Sequence, residues 1–487
     1  MMRKIEDSPL YGIANPKSIA MFGASNKYTA MGTSILTSIL QMGYEGPIYP
    51  VHPSETTVLG HTAYKSVLDL PETPDLAIMV LPTRIVPDVM EDCGKKGIKY
   101  AIVVSGGFKE IGKDGAVLED RLKQTADKYG IRFLGPNCIG AVNTHLKFNA
   151  SFLPCEHPPG FIGMASQSGS FITQMFAYLG RYGLGFSTGF SVGNEANIDI
   201  VDCMEYLAQC PNTKVISLYI ESIRRGREFI DTARKIAPHK PIVAYYAGGT
   251  EAGRRAGLSH TGALAGEERV YDGVFRQSGV IRAHSIEELF DFCWCLGTCA
   301  LPKGNRVIVQ THSGGPGAVA ADACARNGLE LPALSESTRQ NLSEYLPQTA
   351  SMNNPVDLTF TKNNMDFFVE IPRILKAEQN ADALLMYLML PRRNITMFIE
   401  STGLSTEEAQ AETEKFIAEQ SRQLAEEMLA SEKPWVGFSY YSGESPFIRG
   451  LYDAGAPVLP GPNRAARALG AMVAYKALLE KLNMSEE

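Results

Sequence analysis

The sequence predicts an α/β protein of three doubly wound domains, and three observations carry that prediction. Short β-branched runs alternate with longer amphipathic stretches, the pattern of parallel sheets covered by helices on both faces. The alternation restarts twice, each time with a strand that gives way to a Gly/Ser turn and then a helix. At 487 residues the chain is too long for one ordinary core.

Taken in order, Ser18–Gly23, Asp75–Leu81, Lys99–Val104 and Ile131–Leu134 read as buried strands, with helices over about Gly32–Met42 and Ala116–Tyr129. The second series opens with Gly160–Ala165, then Ser166-Gln167-Ser168-Gly169-Ser170 and an apolar helix through Leu179. Strands near Lys214–Ile220 and Pro241–Tyr246 follow. The third opens with Asn305–Gln310, the Gly-rich turn Ser313-Gly314-Gly315-Pro316-Gly317 and an Ala-rich helix to Arg326. A long charged helix around Ser405–Leu429 then lies between strands Ala381–Leu388 and Pro434–Phe438. Pro154–Pro159 and Leu301–Gly304 mark the boundaries, giving domains 1–150, 151–301 and 302–487.

Composition excludes several classes. The net charge is −7 and no stretch masses basic residues, so the phosphate-neutralising footprint of a nucleic-acid-binding protein is missing. Nine cysteines are scattered without a C-x-x-C pair; Cys295 and Cys299 share a helical face with Phe292 and read as core thiols, so no metal site is expected. The first residues lack the apolar run of a signal peptide, and no run of about 18 apolar residues occurs. A cytoplasmic protein with no membrane segment is the expectation.

In open parallel sheets ligands sit beyond the carboxyl ends of the strands, where backbone N–H groups at a helix start favour phosphate. The first such turn is Gly23-Ala24-Ser25-Asn26-Lys27. It is not G-x-G-x-x-G, and the next strand, Ile48–Pro53, ends without the acid that holds a ribose, which weighs against an NAD-dependent oxidoreductase. Ser105-Gly106-Gly107-Phe108 and Gly135–Gly140 also follow strands and would line one crevice. The turns at Ser166–Ser170 and Ser313–Gly317 each open a helix poor in charge, and together could hold one phosphoryl group; a plain N-cap is the alternative at each.

His260 stands apart from the other histidines. Its loop, Ser259–Gly266, is built of small residues that let a ring approach a ligand closely. An imidazole can attack phosphorus if its second nitrogen is held by an acceptor, and Glu221, at the end of the preceding strand, could be that acceptor. An ordinary loop histidine beside a surface carboxylate is the other reading. His312, beside the third-domain turn, is a weaker candidate.

These residues resemble the NDP-forming acyl-CoA synthetases, relatives of succinyl-CoA ligase, in their α-subunit form. The resemblance rests on Ser18–Ser25, Gly135–Gly140, Ser166–Gly169, Ser259–Gly266, Ser313–Gly317 and Asn354–Asp357, and extends across essentially the whole chain. It implies a CoA-binding Rossmann-like domain followed by two flavodoxin-like ligase domains, and an ADP-forming acid–CoA ligase that works through an acyl phosphate and phosphohistidine. His260 would carry phosphate and Glu221 would orient it. Ser168, Gly169, Ser170, Ser313, Gly314, Gly315 and Gly317 would hold the phosphate. Gly23, Ala24, Ser25, Lys27, Pro53, Ser105, Gly106, Gly107, Asn137 and Cys138 would face coenzyme A. The family's lysine after the second strand has no counterpart in Val51-His52-Pro53-Ser54. No stretch resembles an ATP-grasp module, so ATP/ADP and Mg²⁺ would sit on a partner ATP-grasp β subunit in a heterotetramer, with a small carboxylic acid as the other substrate. A CoA-sensing module without ligase activity is the alternative.

Overall fold

The computed structural model describes residues 4–155, 158–253, 255, 266–358, 366–441 and 443–484. His260 and nearly all of its loop lie outside the described residues.

Each of the three large sheets is built on one strand order. In the first, five parallel strands lie in the order Ile48–Val51, Ile19–Phe22, Leu76–Met79, Tyr100–Val103, Arg132–Leu134. Counted along the chain this is 2-1-3-4-5, the flavodoxin-like doubly wound order, with its switch point beside the first strand. The residues of Ile19–Phe22 and Leu76–Met79 are all buried, as strands covered on both faces must be. Pro50 is tolerated in Ile48–Val51 because that strand is the sheet edge.

The second sheet repeats this order with Ile162–Ser166, Phe186–Ser191, Val215–Ile220, Ile242–Tyr246 and Ile281–Ala283. It also takes two antiparallel strands, Ala141–Asn143 and Phe148–Asn149, on the Phe186–Ser191 side. These precede residue 150, so a division there does not follow the sheets. One apolar core runs from Leu10 and Ile13 through Phe148 and Phe190 to Phe275, and residues 1–180 and 185–284 form one compact unit.

The second unit holds residues 181–184 and 285–487. Its sheet has the order Val356–Asp357, Val307–Thr311, Ala383–Tyr387, Trp435–Ser439, Val458–Pro460, again 2-1-3-4-5 and all parallel. The helix Ile286–Thr298, which precedes the expected boundary at 301, packs here. Asp291 accepts two hydrogen bonds of 2.7 Å from Arg464, and Glu288 pairs with Arg467 at 2.7 Å, both on the closing helix Pro462–Met484. The charged helix Thr406–Leu429 starts with a capping box of Ser405 and Glu408.

Candidate active site

Five strand-end turns of the first unit meet around one cleft of about 370 Å³. The first sheet contributes Ser105, Gly106 and Lys109 after Tyr100–Val103, and Asn137, Cys138 and Ile139 after Arg132–Leu134. The second contributes Gln167–Ser170 after Ile162–Ser166, Gly193–Glu195 after Phe186–Ser191, and Glu221, Ser222 and Arg224 after Val215–Ile220. Met31, Val104 and Phe152 complete an apolar wall.

Backbone fit brings the two sheets' loops this close. Gly193 has φ +54°, and a Cβ there would stand 2.3 Å from Pro136 O and 2.5 Å from Asn137 O, so only glycine allows the approach. Asn194 N–H donates to Pro136 O at 2.9 Å and Ala196 N–H to Gly135 O at 3.1 Å. The Asn194 side-chain amide donates to Glu110 at 2.6 Å and Glu119 at 2.9 Å, while Lys109 Nζ donates to Asn194 O at 2.8 Å. Burial pushes the Glu110 carboxyl up, but hydrogen bonds from Asn194 and the Gly107 and Phe108 amides outweigh it and leave it below its ordinary value.

The helix Gly169–Gly180 opens on the cleft, and its first N–H groups lack intrahelical acceptors. The turn before it is held at both sides. Ser166 Oγ donates to Ser168 O at 2.7 Å. The Gln167 carboxamide oxygen accepts from the Glu221 and Ser222 amides, and its Nε2 donates to Ser222 O at 2.7 Å. One buried amide thus ties two of the five turns together.

Burial, with Asp199 adding to it, pushes Glu195 up to about 7, although Arg224, the Ile200 amide and Gln167 favour its charged form. Burial first, and then the nearby Arg224 charge, lower the pKa of Lys109; Glu119, 3.6 Å from its Nζ, opposes them.

Of the expected site residues, Ser105, Gly106, Asn137, Cys138, Ser168, Gly169, Ser170 and Glu221 all line this cleft. Two of them have side chains committed elsewhere. Ser105 Oγ exchanges hydrogen bonds with the Leu81 backbone, and Cys138 Sγ lies 3.4 Å from Val103 O, its thiol pushed up to about 12 by burial. Gly107 (φ +97°) adjoins the cleft without lining it. Gly23, Ala24, Ser25 and Lys27, which follow the first strand at the switch point, and Pro53, which follows the edge strand Ile48–Val51, are also absent from its lining. At the switch point a Cβ on Gly23 would meet Val80 O at 1.9 Å, one on Gly32 would meet Gly23 O at 2.3 Å, and Thr33 Oγ1 exchanges hydrogen bonds with Ser25. The helix thus seats tightly on the strand end. Ser313, Gly314, Gly315 and Gly317 belong to the other unit.

Lys109, Gly193, Asn194, Glu195 and Arg224 were not anticipated. The strand before Gly193, Phe-Ser-Thr-Gly-Phe-Ser, lacks an apolar run, and without that strand its terminal turn has no address.

The comparisons with known proteins bear on the same segments. Residues 17–144 match the CoA binding domain family and residues 159–296 the succinyl-CoA ligase like flavodoxin domain family. The chain is 40% identical over 378 residues to the alpha subunit of acetate–CoA ligase [ADP-forming] II of Pyrococcus furiosus, covering 77% of this chain and 82% of that one. This chain belongs to the NDP-forming acyl-CoA synthetase family. It is of the alpha-subunit type, similar to the ADP-forming acetyl-CoA synthetases. Acetate–CoA ligase [ADP-forming] I of Archaeoglobus fulgidus is 41% identical over 373 residues, and the chain spans about half of its length, 54%. A solved structure of the acetyl-coenzyme A synthetase 1 of Ca. Korarchaeum cryptofilum, in complex with phosphate and ADP, superposes with a TM-score of 0.84 at 32% identity, covering 98% of this chain and 99% of that one. Among the described residues no helix is long and apolar enough to cross a membrane.

Proposed function

We propose that this chain is the alpha-type subunit of an ADP-forming acid–CoA ligase, interconverting acyl-CoA, ADP and phosphate with the free acid, CoA and ATP. The observation that carries the reading is the single cleft that unites turns of the CoA-binding segment with the open start of helix Gly169–Gly180. Coenzyme A lies along the first sheet's strand ends, and phosphate at Ser168, Gly169 and Ser170, where helix N–H groups stabilise its charge. Phosphate oxygen attacks the thioester carbonyl, the C–S bond breaks, and CoA leaves as a thiolate that takes up a proton. The product is an acyl phosphate.

One ring nitrogen of His260 then attacks phosphorus, the P–O bond to the acyl oxygen breaks, and the acid departs as its carboxylate. Glu221 accepts the hydrogen bond of the other ring nitrogen and so fixes the tautomer. Its place supports this role: it directly follows Ile220, which pairs with Tyr246, the last strand residue before the His260 loop. The far side of that loop is anchored too, since Tyr246 Oη donates to Gly266 O at 2.9 Å. The phosphoryl group passes to ADP, which binds with Mg²⁺ on a separate ATP-grasp β subunit in a heterotetramer. The printed name of the Pyrococcus furiosus relative, a subunit alpha, favours that assembly.

The test is label transfer. The chain is incubated with acetyl-CoA, radiolabelled phosphate and Mg²⁺, with and without an ATP-grasp β subunit. Acid-labile, base-stable label on the wild type and none on His260→Asn is the expected result. CoA binding without label from any acyl-CoA would overturn the reading in favour of a CoA-sensing module.

A further inference from the structure

Two consecutive arginines leave strand Val215–Ile220 by the same turn and meet different surroundings. Arg225 is paired with two carboxylates and is absent from the cleft lining. Its guanidinium forks onto Asp199, and its Nη2 also lies 3.1 Å from Asp202. Arg224 lines the cleft instead. Its Nη1 donates to Glu195 O at 3.0 Å and its Nε lies 3.6 Å from the Glu195 carboxylate, which anchors the guanidinium. The side chain keeps 41% exposure, and Nη2 has no partner among the described residues.

Glu195 itself is not available to a ligand in place of Arg224. It is buried and held by the Ile200 amide at 3.0 Å. Lys109 reaches the same cleft and is near enough to feel the Arg224 charge. Each cation has a carboxylate at 3.6 Å and Glu221 lines the cleft as well, and an anion held between Arg224, Lys109 and the open helix start meets favourable charge on those three sides. The two terminal nitrogens carry four N–H groups, of which the Glu195 carbonyl takes one, and N–H groups on neighbouring guanidinium nitrogens run parallel and suit an anion bearing two oxygens on one atom.

We propose that Arg224 is a substrate-binding residue of this cleft, clamping the geminal oxygens of the acyl substrate as a carboxylate or a phosphoryl group. The inference rests on the acyl-CoA synthetase reading for the identity of the anion, and on the cleft geometry for the binding itself. Both anion types occur in the proposed cycle: phosphate enters, an acyl phosphate forms, and a carboxylate leaves.

Equilibrium binding of inorganic phosphate and of acetate, each measured separately on the full chain, tests it. Arg224→Gln is compared with wild type, with Arg224→Lys, and with Arg227→Gln. Arg227 is 86% exposed and paired with Asp231 on its own helix, so that variant removes the same charge outside the cleft. The expected result is a roughly 10- to 100-fold loss of affinity for at least one anion in Arg224→Gln. Arg224→Lys recovers part of it, and Arg227→Gln matches wild type. A loss confined to acetate assigns the carboxylate, and a loss confined to phosphate assigns the phosphoryl group. Coenzyme A binding and the unfolding midpoint report folding, and if Arg224→Gln fails to fold, Arg224→Lys carries the comparison through its missing fork. Unchanged affinity for both anions, or no binding of either by the wild type, overturns the proposal. Histidine labelling fails independently: label absent while Arg224-dependent anion binding persists sinks the synthetase reading and leaves the anion clamp standing.

Discussion

The turns that follow the first strand of the second and third sheets share one construction and differ at one position. In the first unit Ser166 Oγ, on the last strand residue, donates to Ser168 O at 2.7 Å; in the second unit Thr311 Oγ1 donates to Ser313 O at 3.0 Å. Each turn then opens a helix, Gly169–Gly180 or Gly314–Arg326. Between hydroxyl and acceptor sits Gln167 in one and His312 in the other. Gln167 is tied to the backbone of Glu221 and Ser222. His312 is stacked on Phe367 at 3.5 Å, and burial lowers it to about 4, so its ring is neutral and packs as a hydrophobe. The same backbone device is thus wired into a polar cleft in one unit and into an aromatic cluster in the other. What the turn can do depends on the side chain it presents to its own sheet.

That contrast can be broken most sharply at the differing position. Gln167→Leu removes the acceptor of two amides and the donor to a carbonyl, and should destabilise the chain by about 2–3 kcal/mol and abolish histidine labelling. His312→Phe should stay within about 1 kcal/mol, because a neutral ring stacked on an aromatic neighbour is replaced by another ring. Denaturant unfolding of both variants measures the difference. Equal destabilisation would show that the two turns are wired alike.

The helix starts give the next effect. A Cβ on Gly169 would stand 2.8 Å from Ile139 Cγ1, whereas one on Gly315 meets nothing within 4 Å. Gly169→Ala should cost about 1–2 kcal/mol through overpacking and narrow the cleft. Gly315→Ala should be neutral or stabilise by up to about 1 kcal/mol through helix propensity. Paired unfolding curves, with phosphate binding measured on both, decide it.

The smallest effect is a pair of opposed pH dependences. Glu195 has its pKa raised from 4.5 to about 7, so between those values the folded state holds more protons and stability falls as pH rises. His312 has its pKa lowered from 6.5 to about 4, so between those values the unfolded state holds more protons and stability falls as pH drops. Relative to wild type, Glu195→Gln should gain stability from pH 4.5 to 7, and His312→Phe should gain it from pH 6.5 down to 4. Unfolding midpoints across pH 4–8 would show the same sign for both if either environment is misassigned.

Strands such as Ile19–Phe22, Leu76–Met79 and Ala383–Tyr387 were legible in the sequence because residues buried on both faces of a parallel sheet read as a continuous apolar run. The Gly/Ser turns were legible for a related reason: glycine is needed where a backbone must turn and approach, and that need is local. Phe186–Ser191 escaped because its polar residues are satisfied by partners far along the chain. Ser187 bonds Thr213 at 2.7 Å, and Ser191 Oγ accepts from the Ile139 amide at 3.1 Å. With that strand went the turn Gly193–Glu195, whose fit against Pro136 and Asn137 is a contact between loops of two different sheets. By itself, then, the sequence determined the fold class, the repeated strand–turn–helix units and the residue types able to handle phosphate, because periodicity and backbone demands act over a few residues. Only the tertiary structure decided that the first two sheets share one core, that five turns close on one cleft, and that Arg224 rather than Arg225 faces it. Those outcomes depend on packing and charge pairing between residues distant in the chain, which no local pattern encodes.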